Sequence, residues 1–252
     1  MIALDFPPVS HVIEWPNLFG TSGPFAINKV VLLMWASVII VFAFLFLAGR
    51  RQQLVPSGVQ NVGESVLDFV NDGIILQTMG PDGLRYAPFL LTMFSFIFVC
   101  NIWEVIPFIQ MPVNARIALP LFLAVLVWFI FNIVGIAKQG FFSYFKGMMF
   151  PPGVPVFLYV LVAPIEFVST ILVRPLSLSV RLFANMLAGH LILVSFAVIT
   201  AALFESTIIG AVLPGALLVA LTGFEVLVAF LQAFIFTILT AVYIGGAMHP
   251  EH

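Results

Sequence analysis

The chain has 252 residues, 62% of them hydrophobic and only 8% charged, with a mean hydropathy of +1.20. Soluble domains carry about 25% charged residues, so this composition describes an integral membrane protein. A net charge of −2 gives no electrostatic basis for binding nucleic acid. The single cysteine, Cys100, lies inside an apolar run, so no disulfide framework exists and the thiol reads as buried and inert.

Residues 1–28 carry Pro7, Pro8, Pro16 and Pro24 with the acids Asp5 and Glu14, and no long apolar periodic run. They are expected to form an irregular external arm, without the basic segment and apolar core of a signal peptide. Residues 30–49 are apolar for about the 20 residues that cross a 30 Å hydrocarbon core. They end on Arg50 and Arg51, which by the positive-inside rule puts that end in the cytoplasm and the N-terminus outside.

Residues 56–79 differ in character. Val59, Val62, Val66, Phe69, Val70 and Ile74 recur at three- and four-residue intervals, with Glu64, Asp68, Asn71 and Asp72 between them. The spacing predicts an amphipathic helix lying along the interface or against a partner. Its polar face is acidic, which favours a protein partner over anionic lipid.

The second span is expected over 86–108, with Asn101 and Glu104 near its far end before Pro107. Three residues apart, those two would share a helix face and either mark the headgroup boundary or line a water-filled access path. A short outer loop with Asn114 and Arg116 leads to a third span over 117–137, whose end is labelled cytoplasmic by Lys138 and Lys146. From 156 to 203 the turn signals are Pro164 and the Arg174-Pro175 step. A single helix there would be about 72 Å long, so either the chain breaks at that step or the helix is steeply tilted and kinked. After a turn around 205–210, residues 211–247 pose the same problem with Glu225 and Gln232 embedded, and the tail is polar.

The stretch RPLSLSVRLFANMLAGH, residues 174–190, places Arg174, Arg181, Asn185 and His190 in this apolar surrounding. Arg174 and Arg181 either occupy a cytoplasmic loop or lie within the bilayer, where an Arg costs roughly 2.5–3.5 kcal/mol and signals function. If the last two segments form an antiparallel hairpin, Arg181 falls level with Gln232 and His190 level with Glu225. At about 100° per residue, Arg174, Arg181 and Asn185 share a face while His190 points the opposite way, and Glu225 and Gln232 share a face. His190 and Glu225 suit a proton relay, because imidazole titrates near neutrality and a partly buried carboxyl is pushed toward that range. Arg181 stays charged and has no obvious counter-ion in the chain, which points to one supplied by a partner. No nucleophile–base set, Gly-rich phosphate loop or metal-ligand cluster is present, so neither catalysis on this chain nor a cofactor is expected.

These residues resemble the a subunit of F-type ATP synthases. The likeness runs through Asn61-Val62-Gly63-Glu64, Tyr86-Ala87-Pro88, Asn101 to Pro107, PIEFVSTILVRPLSLSVRLFANMLAGH and LQAFIFTILTAVYI. It implies an all-α integral membrane protein in a single domain. Five transmembrane helices are expected, the last two a long, steeply tilted antiparallel hairpin, with one interfacial amphipathic helix besides. The implied role is a non-catalytic stator subunit of a bacterial cell membrane complex, with its N-terminus outside and C-terminus cytoplasmic. Two offset half-channels would load and unload protons on the carboxylates of a c-subunit ring, coupling proton flow to rotation and ATP synthesis. The implied partners are that ring, the b subunits of the peripheral stalk and the remaining synthase subunits.

Position by position, Arg181 matches the family's essential arginine and Gln232 the glutamine facing it. His190 and Glu225 match the half-channel on the side away from the enzyme head. Asn185, Asn101, Glu104 and Asn114 match polar positions near that path, and Thr170, Arg174 and Ser177 lie toward the cytoplasmic exit. Some relatives carry Ser at the place of Val173 and an acid at that of Pro112. Two other classes compete: a self-contained secondary transporter, which normally shows inverted repeats and broken helices around a midplane site, whereas the two halves here are dissimilar and the Arg has no built-in counter-ion, and a structural anchor for which His190 and Glu225 are packing residues.

Overall fold

The computed structural model describes residues 27–50, 53–107, 109–150 and 155–248. The expected external arm up to residue 26, Arg51, the segment 151–154 and the C-terminal tail from 249 lie outside the described residues. All helices named below fall within those limits. They are α1 (Lys29–Arg50), α2 (Val59–Val70), α3 (Ala87–Ile102), α4 (Ala118–Gln139), α5 (Phe141–Met149), α6 (Tyr159–Val168), α7 (Arg174–Ser206) and α8 (Ile208–Met248).

Five helical runs are long and apolar enough to cross a membrane: α1, Pro81–Ile102, α4, Tyr159–Phe204 and α8. Trp35, Ile39 and Phe42 of α1, Phe129 and Ile133 of α4, and Ile209, Leu213 and Val219 of α8 all stand on the surface. So much outward apolar area suits hydrocarbon rather than water. At 41 residues α8 measures about 60 Å, twice a hydrocarbon core of about 30 Å, so it crosses only if strongly inclined.

The Arg174-Pro175 step does not break the chain. Residues Ser169–Val173 form a π-helical turn between α6 and α7, closed by the Arg174 N–H donating to the Ser169 carbonyl. Proline has no N–H and its ring clashes with the carbonyl four residues back, so widening the preceding turn lets the helix pass through. The turn between the last two helices is shorter than the sequence suggests. Thr207 alone lies outside them, with its N–H on Leu203 O at 2.7 Å.

The second span ends earlier than expected, at Ile102 rather than 108. Pro107 crowds the carbonyl of Trp103 and disfavours helical geometry at Ile106. The chain accordingly tightens into i−3 bonds, Glu104 N–H to Asn101 O at 3.2 Å and Val105 N–H to Ile102 O at 3.1 Å. Asn101 and Glu104 therefore do not share a helix face. Asn114 is not in an open loop either. It sits in a 3-10 turn, Val113–Ala115, and is fully buried.

The chain divides into two compact units, one of residues 1–43, 95–116 and 182–233, the other of 44–94, 117–181 and 234–252. In the first, Leu182 and Met186 of α7 and Ala229 and Ala233 of α8 are buried, and Phe98 meets the Phe230 ring edge-on at 6.4 Å. Small residues on α8 leave room for large ones on α7. In the second unit Phe69 packs on Phe94 at 5.6 Å and on Phe234 at 5.7 Å, so α2 joins the body through its far end. At its near end the packed stripe is turned away from the valines. Gly63 lies against Ala48 and Gln60 is buried, bonded to Gln53 O at 3.0 Å and Glu64 at 2.7 Å, while Val59 and Val62 stay exposed. The amphipathic helix thus keeps an apolar edge for its surroundings.

α4 ends at Gly140, whose φ of 80° and ψ of 153° lie in a region open essentially to glycine, and α5 folds back from it. The Tyr144 ring fills the notch left by Gly135 on α4, and its hydroxyl donates to Asn132 Oδ1 at 3.2 Å. Any side chain at 135 collides with that ring. Gly135→Leu is expected to undock α5 and cost about 1–3 kcal/mol by overpacking. Thermal unfolding in detergent and faster proteolytic nicking near α5 check it.

Candidate functional site

The first unit collects most of the polar residues singled out above. α3 delivers Asn101 and the turn beyond it Glu104; α7 delivers Asn185 and His190; α8 delivers Glu225 and Gln232. Asn114 donates to Asn101 Oδ1 at 2.6 Å, and Asn101 Nδ2 reaches Ala229 O at 3.5 Å. Asn185 Nδ2 donates to Gln232 Oε1 at 2.8 Å.

At the centre His190 Nδ1 stands 3.7 Å from Glu104 Oε1. The Glu225 carboxyl lies against Gly189, where a Cβ would come within 2.5 Å of Oε1. Absence of a side chain at 189 is what lets a carboxyl seat directly on α7, next to the histidine. Glu104, His190 and Glu225 are all at least nine-tenths buried. The sequence paired His190 with Glu225 by height alone. The structure adds Glu104 as the acid nearest the imidazole, and the helix-face conflict eases because Glu225 seats on Gly189 while Gln232 meets Asn185.

Several polar atoms of this group are buried without a hydrogen-bond partner among the described residues: Glu104 Oε1, Asn114 Oδ1, Glu225 Oε2 and Gln232 Nε2. Burying polar atoms unpaired costs on the order of 1–3 kcal/mol each, so a cluster of them marks a place kept for something other than packing.

The second unit holds the other set. Thr170, in the π turn, is buried with Oγ1 unpartnered among the described residues. Arg174 is part-buried and lies over the Tyr243 ring at 5.4 Å, a cation–π contact. Ser177 is exposed. Arg181 is also exposed, and it makes no hydrogen bond or ion pair with any described residue. Sequence reasoning missed Asn132, Tyr144 and Tyr243 in this unit; their signal is tertiary. Burial pushes the Tyr144 hydroxyl upward, an effect the Arg174 charge partly offsets.

Fold and site together define a polytopic α-helical membrane protein with a buried carboxyl–imidazole–carboxyl group and a surface guanidinium, unpaired among the described residues, on a membrane-length helix. A family model described as ATP synthase A chain matches residues 31–245, and the chain belongs to that family. It is 46% identical over 226 residues to an ATP synthase subunit a of Parafrankia sp., covering 89% of this chain and 77% of the relative. It is 43% identical over 244 residues to one of Rhodococcus erythropolis, covering 94% and 88%. A third, from Mesorhizobium japonicum, is 40% identical over 245 residues, covering 96% and 95%.

Burial, and then the neighbouring Glu225 charge, pushes the Glu104 carboxyl from 4.5 up to about 8. Once unfolded, that group ionises near its ordinary value. Across the window between, the folded chain holds a proton that the unfolded chain has lost, so stability falls as pH rises. The purified protein is expected to melt at a lower temperature at about pH 9 than at about pH 6, and Glu104→Gln to flatten the difference. Circular dichroism melts in detergent measure both.

Proposed function

We propose that this chain is the stator subunit that carries protons to and from a ring of c subunits, coupling their flow across the membrane to rotation and ATP synthesis. The relatives it matches are named ATP synthase subunit a. The observation that carries the reading is Arg181, a permanent cation on a membrane-length helix, exposed and without a counter-ion among the described residues. A charge so placed is costly in lipid unless a neighbour brings the opposite one, and a carboxylate on the ring would do so.

In this scheme a proton enters on the outer side past Asn101, Asn114 and Glu104. His190 and Glu225 pass it to a ring carboxylate, the atoms Glu104 Oε1, Asn114 Oδ1 and Glu225 Oε2, unpartnered among the described residues, fitting a hydrated path. The ring acid, once neutral, can face lipid. When it returns toward Arg181, the adjacent positive charge lowers its pKa and it releases the proton toward Thr170, Arg174 and Ser177. The same charge repels free protons and so keeps the two paths from joining. Asn185 and Gln232, bonded to each other, order the helix pair one turn beyond Arg181. The reading assigns the protein to the bacterial plasma membrane, N-terminus outside and C-terminus cytoplasmic, against the c ring and the b subunits of the peripheral stalk.

Arg181→Ala is expected to abolish proton-driven ATP synthesis in membrane vesicles while ATP hydrolysis by the detached head continues; normal synthesis would refute the scheme. Glu225→Gln, which keeps the shape and removes the titratable proton, is expected to slow ATP-driven proton pumping by about 10²-fold. A mere anchor would tolerate that change.

A further inference from the structure

The first helix has the composition of a passive anchor. Between Val30 and Ala48 its one hydroxyl or amide side chain is Ser37. That residue does not face outward: its exposure is 0%. Its Oγ donates to Leu33 O at 2.8 Å, the back-bond a serine makes within its own helix, and accepts the Trp103 indole N–H at 2.7 Å. The Cys100 side chain hydrogen-bonds to the same hydroxyl. The only polar side chain in the middle of α1 is thus fully engaged with the end of α3.

Trp103 immediately precedes Glu104 in the turn that replaces the helix after Ile102. Adjacent side chains leave the backbone in divergent directions, so tying the indole to α1 aims the carboxyl away from α1 and toward His190, 3.7 Å off. The same loop is tied a second time, where Lys29 Nζ donates to Ile109 O at 2.9 Å. An indole N–H has no other role to play: it is a donor only, and Ser37 is its acceptor. We infer that the Ser37–Trp103 hydrogen bond is a positioning contact for proton uptake, making α1 part of the machinery that presents the Glu104 carboxyl to His190. The inference rests on the proton-uptake reading above.

The titratable groups facing Glu104 are His190 from α7 and Glu225 from α8. α1 contributes no ionisable group at that level, so its influence on proton affinity acts through geometry.

The test uses the assembled synthase in membrane vesicles, with ATP hydrolysis by the head reporting the amount present, and follows ATP-driven proton pumping against pH. Ser37→Ala and Trp103→Phe are each expected to lower pumping by up to about 10²-fold and to move the pH profile to lower values, as Glu104 opens toward water. Ser37→Thr, which keeps the acceptor, is expected to restore the parental profile. An effect of Glu104→Gln with an unmoved profile in both Ser37→Ala and Trp103→Phe overturns this inference alone. A parental profile in Glu104→Gln overturns the uptake reading itself. If Ser37→Ala fails to assemble, Trp103→Phe decides; failure of both to assemble assigns the contact to folding and also overturns the inference.

Discussion

Two carboxyl groups and an imidazole are held together, out of water, inside a bundle of apolar helices. That constraint organises the first unit. Burial, and then the Glu225 charge, opposes ionisation of Glu104 in the turn beyond α3, so that carboxyl keeps its proton well above the ordinary carboxylate range. What makes the arrangement possible is backbone design. Gly189 removes the atom that would keep Glu225 off α7, the early end of α3 frees Glu104 from the helix, and Asn101 and Asn114 pin each other where the next turn begins.

The second unit treats its cations differently. Arg174 rests on an aromatic face, which satisfies a guanidinium without a carboxylate and leaves its charge standing. Arg181, one face repeat further on, has no such rest among the described residues. The contrast distinguishes a cation satisfied within the fold from one presented at the surface.

Much of the architecture was legible in the sequence because hydrocarbon imposes a simple rule: runs of about 20 apolar residues become helices. α1 and α4 follow it closely. The stretch from 174 to 190 announced itself by placing charges where the rule forbids them, and Gly189 beside His190 was visible but mute, since a glycine's use depends on what approaches it. The errors have local causes. Pro107 acts on residues before it and cut α3 short; Pro175 acts likewise but was absorbed by a π turn, an outcome that apolar periodicity does not signal. Asn114 reads as a loop residue, and only the packing of 111–115 reveals that it is buried. Val59 and Val62 at the near end of α2 look like an inward face until Gly63, by permitting close approach to Ala48, turns that end of the helix. Ser37, a single small polar residue in a long apolar run, gives no hint of which partner it will meet.

The π turn at Ser169–Val173 also bears on how such chains are compared. It inserts one residue into an otherwise regular helix, so everything in Tyr159–Val168 is rotated by about 100° relative to a count carried through at 3.6 residues per turn. Glu166 and Arg174, eight apart, would lie about 80° apart around an unbroken helix; the extra residue brings them to about 20°, nearly onto one side. A one-residue gap in this segment between two relatives is thus not a harmless length difference. It reassigns which side chains look inward over nearly three turns, and a mutation catalogue drawn up by helical wheel would be wrong for that entire stretch.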